Sequence, residues 1–205
     1  MPLDGSAPPR QVTTGPGAKF APRWSPDGRQ LAYVLDLDGG ELFDIYACDL
    51  ATSQHTNLTP DTPDAIQPSF AWSPDGSQIA FISDRSGHFD TYVMPASGGC
   101  PRPVLSLPYH DGEVRWSPDG RWLAVVSQTQ GQDHWIFLVP VGEGEPFPVE
   151  HDGQPLPAKD ARWSPDGTRL AFTSDVHGFF DVGVYELQTG KIVWVTAGRG
   201  DKEQP

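Results

Sequence analysis

The chain has 205 residues, 37% hydrophobic and 11% aromatic, which is enough to bury a sizeable core within one repetitive domain. Twenty-seven acidic residues against 14 basic ones give a formal charge of −13 with no run of Lys or Arg, which argues against nucleic acid and anionic membrane as partners. No segment approaches the roughly 20 apolar residues that span a bilayer, and MPLDGSAPPRQVTTG has no apolar stretch of signal-peptide length. The chain as written is therefore expected in the cytoplasm, or in the periplasm or outside the cell if it was cut from a longer exported parent.

Self-similarity organises the chain, because Trp-Ser-Pro-Asp-Gly begins at Trp24, Trp72, Trp116 and Trp163, at spacings of 48, 44 and 47 residues. Residues 1–19 read as an N-terminal tail in which RQVTTG (10–15) resembles a stray outer strand. The first unit, 20–59, continues from its turn into QLAYVL (30–35), a polar loop DLDGGE (36–41), LFDIYAC (42–48) and a short HTNLT (55–59). The second, 69–106, repeats this as QIAFIS (78–83), DRSGH (84–88), HFDTYVM (88–94) and RPVLS (102–106). The third, 113–150, runs WLAVVS (122–127), QTQGQD (128–133), HWIFLVP (134–140) and PFPVE (146–150). The fourth, 160–196, runs RLAFTS (169–174), DVHGF (175–179), FFDVGVYEL (179–187) and KIVWVT (191–196), leaving 197–205 as a C-terminal tail.

The apolar segments are short, β-branched or aromatic, and broken by Gly, Pro, Asn or Asp, so the class is all-β. Each unit reads as a four-stranded antiparallel meander of about 45 residues, the length of one β-propeller blade, and four blades are present. In the Ser-Pro-Asp-Gly turn, Pro presets φ, Asp bonds the local backbone and Gly supplies positive φ. Asp27, Asp75, Asp119 and Asp166 are therefore structural turn residues. Continuously apolar strands fit sheets buried on both faces, as in blades stacked around an axis.

The units WSPDGSQIAFISDRSGHFDTYVMPASGG (72–99) and RWSPDGTRLAFTSDVHGFFDVGVYELQTGK (162–191) closely resemble the repeat of TolB-like, WD-repeat-like β-propeller proteins. That resemblance implies the fold and leaves function open, since the same blade occurs in the periplasmic TolB protein and in the propeller of prolyl oligopeptidase-type serine peptidases. Blade three departs from it, with His134 and Trp135 where the others have Phe43-Asp44, Phe89-Asp90 and Phe180-Asp181. Blade two has Ala71 where the others have Arg23, Arg115 and Arg162. These Arg and Asp positions are expected to form partly buried ion pairs. The family usually closes a ring of six to eight blades. Four blades therefore close as a tight ring, pair with a second chain in an eight-bladed homodimer, or belong to a longer parent.

In such a meander the Ser-Pro-Asp-Gly turns share one face, and the polar loops and inter-blade connections share the other. The latter collects His88, His110, His134, His151 and His177, with Asp36, Asp38, Glu41, Asp61, Asp64, Asp111, Glu113, Asp133 and Asp152. A basic protein partner suits this acidic, imidazole-bearing face, and Asp38, Glu41, His88, His110, Asp111, Asp133, His134 and His177 are the candidate contacts.

Catalytic signals are missing: no Gly-x-Ser-x-Gly, no phosphate-cradling Gly-rich loop, and no CxxC around Cys48 or Cys100. No His-x₃-His or calcium-loop spacing marks a metal site, so no catalytic, cofactor-binding or metal residue is assigned and no cofactor is expected. The expected function is a non-enzymatic protein-interaction scaffold. The alternatives are the gating propeller of a prolyl oligopeptidase-type peptidase, and a carbohydrate- or metal-binding propeller.

Overall fold

A computed structural model describes residues 8–60, 67–129 and 133–196, and these are all strand, turn and coil. Blade one holds β1 (Ala18–Trp24), β2 (Gln30–Asp36), β3 (Phe43–Asp49) and β4 (His55–Asn57). Blade two holds β5 (Ser69–Trp72), β6 (Gln78–Ser83), β7 (Asp90–Pro95) and β8 (Arg102–Leu105). Blade three holds β9 (His110–Trp116), β10 (Trp122–Gln128), β11 (His134–Pro140) and β12 (Phe147–Pro148). A small hairpin, β13 (Glu150–His151) and β14 (Gln154–Pro155), precedes β15 (Lys159–Trp163), β16 (Arg169–Ser174), β17 (Asp181–Glu186) and β18 (Lys191–Trp194) of blade four. Every blade is an antiparallel sheet whose spatial order is its sequence order.

The turns behave as their residues dictate. Each Asp Oδ1 accepts the hydroxyl of the Ser two residues before it and the N–H two residues after it, as Asp75 does from Ser73 at 2.6 Å and Ser77 at 3.0 Å. Asp27, Asp119 and Asp166 repeat the arrangement. Hydrogen bonds to the charged form hold all four carboxyls below the usual range, Asp75 down to about 2. The closing glycines sit at φ of 69 to 73°.

Blades are joined by contacts that recur at each junction. The indole N–H of Trp72 donates to the Arg23 carbonyl at 3.3 Å, Trp116 to Ala71 at 3.0 Å and Trp163 to Arg115 at 3.2 Å. Each acceptor immediately precedes the previous blade's tryptophan. A main-chain bond also repeats at each junction, at the opposite end of the blade, from Gln67 N to Phe43 O at 3.0 Å, Asp111 N to Phe89 O at 2.8 Å and Ala158 N to His134 O at 2.7 Å. The turns nest as well, since a methyl added to Gly76, Gly120 or Gly167 would lie 3.4–3.7 Å from Pro26, Pro74 or Pro118 of the preceding blade.

Strand alternation assigns one face of each sheet to the blade before and the other to the blade after. Ala32, Val34, Ile45 and Ala47 of blade one pack on Ile79, Phe81, Tyr92 and Met94 of blade two. Ala80, Ile82 and Val93 pack on Leu123, Val125, Phe137 and Val139 of blade three. Ala124, Val126, Ile136 and Leu138 pack on Leu170, Phe172 and Tyr185 of blade four. Leu58, Leu105 and Val149, at or just beyond the ends of the fourth strands, seal the three junctions. No such cluster among the described residues joins blade four to blade one, so the chain forms an open arc and the tight four-bladed ring is not what it adopts. The burial pattern agrees: β6 and β10 are buried on both faces, whereas β16 alternates because its outer face has no neighbour.

Two local expectations are corrected. Residues 10–14 pair in no ladder, and Val12 packs instead on Tyr33, Leu35 and Cys48. Among the described residues Arg23, Arg115 and Arg162 pair with none of Asp44, Asp90 and Asp181, and hydroxyl ties are found instead: Thr59 Oγ1 donates to Asp44 at 2.7 Å and Thr196 Oγ1 to Asp181 at 2.9 Å, tying the fourth strand to the third in blades one and four. Arg23 and Arg162 reach neighbouring carbonyls, and Arg115 and Arg162 both turn to Glu113.

Asp111 is a further inter-blade tie, accepting Thr91 Oγ1 of blade two and Ser127 Oγ of blade three, each at 2.6 Å. Burial raises its carboxyl to about 6, against the opposing pull of those two hydroxyls and with help from nearby Asp90. A carboxyl whose folded-state value is raised stabilises most below the unfolded value near 4 and loses that contribution as pH climbs through 6. Asp111→Asn is therefore expected to be more stable than the parent at pH 7.5, with the advantage shrinking by about 2–3 kcal/mol by pH 4 in paired denaturant titrations. Trp116→Phe, which keeps an aromatic ring but deletes the donor to Ala71, should cost ~1 kcal/mol in the same assay.

Candidate functional site

The innermost strand of each blade reaches the loop face four and three residues before its tryptophan, and there the repeat stops repeating. Counting back gives Phe20-Ala21, Pro68-Ser69, Gly112-Glu113 and Lys159-Asp160. In blade four the strand register slips between Lys159 and Arg162, with Asp160 at φ 58°, a left-handed conformation that an Asp tolerates better than most residues. Thr173 Oγ1 fixes the turned-out carboxylate at 2.7 Å.

Pro68, Gly112, Glu113, Lys159 and Asp160 line a groove of about 510 Å³, with Phe89, His110 and His134 on its walls. A second hollow of about 440 Å³ lies between blades three and four, bounded by Asp133, Thr173, Asp175 and Phe180. Gln128, His134 and Lys159 border both, so the two form one trough across blades two to four. The Lys159 ammonium lies 4.4 Å from the Phe180 ring centroid, a cation–π contact that aims the side chain along the trough. His110 stands edge-on to Phe89 at 5.7 Å and 6.2 Å from the His88 ring. Carboxylates of Glu113, Asp133, Asp160 and Asp175 outnumber the single ammonium among these lining residues.

Of the eight anticipated contact residues, His110, Asp111, Asp133 and His134 come together around this trough, and His88 abuts it through His110. Asp111 is nonetheless buried, with both carboxylate oxygens spent on Thr91 and Ser127, so it supports the floor and is not a contact. Asp38 accepts Gly40 N at 3.0 Å and serves its own loop, beside Glu41 in blade one, where neither lines the trough. His177 lies 4.6 Å from the Trp194 ring and 3.7 Å from Asp181, part of the packing between blades three and four. Asp61 and Asp64 lie outside the described residues. Lys159, Asp160 and Gln128 escape the search for sequence motifs, and Phe180 reads there only as part of the repeat's aromatic-Asp pair; aligning the units on their tryptophans and looking for where they diverge finds the first two.

The four repeat serines donate to turn aspartates. Burial pushes the Cys48 thiol up, away from the thiolate a nucleophile needs. Among the described residues no group of three or more His, Cys, Asp or Glu could hold a metal ion, and no helix is long and apolar enough to cross a membrane.

Comparison with known proteins places the architecture. The TolB beta propeller domain family matches residues 6–107. No match is found among curated protein sequences. Among solved structures, the chain is similar to TolB from Acinetobacter baumannii, at 24% identity and TM-score 0.64, covering 95% of this chain and 47% of that one. It is similar to a putative TolB from Agrobacterium tumefaciens, at 26% identity and TM-score 0.68, covering 92% and 65%. The fold is also shared with a puromycin hydrolase, at 19% identity and TM-score 0.74, covering 96% and 32%. The chain thus spans about half to two thirds of the length of the two TolB structures. Repeat, blade topology and these matches together make the chain a member of the TolB-like β-propeller repeat family.

Proposed function

We propose that the chain is a non-enzymatic binding module that takes a basic segment of a protein partner into the trough on its loop face. What carries the reading is the location of the trough: it sits where blades two to four, otherwise matching, carry different residues, and its lining gathers Glu113, Asp133, Asp160 and Asp175. A run of carboxylates beside apolar walls at Phe89 and Phe180 suits Lys or Arg side chains with their aliphatic stems. Lys159 borders both hollows and would favour a segment with an acidic or carbonyl group at that step.

The gating propeller of a prolyl oligopeptidase-type peptidase is the second reading, favoured by the 96% of this chain that aligns with the puromycin hydrolase. Binding of peptides by the isolated chain separates the two, because a gate needs no affinity of its own.

A peptide array probed with the chain and with the Asp133→Lys/Asp175→Lys double variant tests the proposal. Lys- and Arg-rich peptides should bind the parent, weaken as salt rises, and bind the variant at least about tenfold less tightly. Equal binding by parent and variant would move the site off this trough.

A further inference from the structure

Each internal junction is made of a donor half and an acceptor half, and the two ends of the arc each carry one half without its mate among the described residues. Blade one presents the donor half: the Trp24 indole, 61% exposed, and Gly28, which has nothing within 4 Å of where its Cβ would stand. Their counterparts in blades two to four meet a carbonyl and a proline of the blade before. Blade four presents the acceptor half: the Arg162 and Phe180 carbonyls, the Pro165 ring, and an outer sheet face of Ala171, Val182 and Val184 with Val195 at its edge. The residues at matching positions in blades one to three are buried under the next blade. In blade four Val195 is 64% exposed, against 3% for Leu58, 4% for Leu105 and 0% for Val149 at the matching positions.

We propose that a second copy of this chain covers these faces, blade four of each seating on blade one of the other, so that two arcs close an eight-bladed ring around a two-fold axis. The complement of each open face exists on the same molecule and follows the rule already obeyed three times. The interface thereby continues an established packing mode instead of needing a new one. It also removes the outer apolar face of blade four from water.

One seat is contested. Val195 N donates to Val182 O at 2.8 Å, as Leu58 N does to Ile45 O and Val149 N to Ile136 O, so Val195 is the sealing residue of the junction that would follow blade four. On blade one Val12 occupies the matching seat, against Tyr33 and Cys48. Val195 arrives on a paired strand and Val12 on an unpaired segment, so the Val12 segment yields when the second copy docks.

Light scattering behind a sizing column, over a wide concentration range, tests this on the full chain. The parent should tend to twice 22.3 kDa and stop there. Val195→Asp and Trp24→Ala, both at positions exposed in the single arc and thus compatible with its folding, should each return it to the monomer mass with an unchanged circular dichroism spectrum. A parent that stays at 22.3 kDa throughout, as expected if a different polypeptide supplies the neighbouring blades, overturns the proposal. So does a mass that keeps growing with concentration, which signals open-ended chaining, or a dimer that survives both substitutions.

Discussion

An indole N–H reaching back to the main chain of the preceding blade is the contact on which this architecture turns. It fixes the distance between neighbouring inner strands and satisfies a carbonyl that the blade stack would otherwise bury unpaired. It also brings the Pro of one Ser-Pro-Asp-Gly turn against the Gly of the next. Once that spacing is set, the alternation of each strand does the rest, sending one row of side chains to the blade before and one to the blade after. A blade alone has two apolar faces and no interior. Stability therefore belongs to the junctions, and the ends of the array are where it runs short.

The same rule explains the contrast between the middle and the edge of the molecule. Central strands of blades two and three are apolar at almost every position because both faces are covered. In blade four, Thr173 stands where β6 carries Ile82, and the burial pattern alternates. Hydroxyl ties such as Thr59 to Asp44 and Thr196 to Asp181 hold the short fourth strands, which have too few ladder bonds to hold themselves.

Much of this architecture is legible in the sequence. Four in-register copies of Trp-Ser-Pro-Asp-Gly dictate the strand order and the turn chemistry, and a resemblance carried by the same residues points to the family. The site is less legible because its residues are defined by difference. Lys159 and Asp160 look like ordinary loop polarity until the strand register slips and turns Asp160 outward. Asp111 reads as surface because its neighbours His110 and Gly112 are polar or small. It lies one residue into β9, where the alternation buries it between two hydroxyls. His177 sits in a polar loop yet packs on Trp194, a contact that depends on the fourth strand folding back over the third.

Hydrogen exchange at the tryptophan indoles, followed by NMR, tests the junction directly. The N–H protons of Trp72, Trp116 and Trp163 should exchange far more slowly than a free indole, and together, since all three report on the same inter-blade bond. Exchange of these three at the rate of a solvent-exposed tryptophan would mean that the blades are held by side-chain packing alone, and that the recurring bond is not the constraint on which the arc depends.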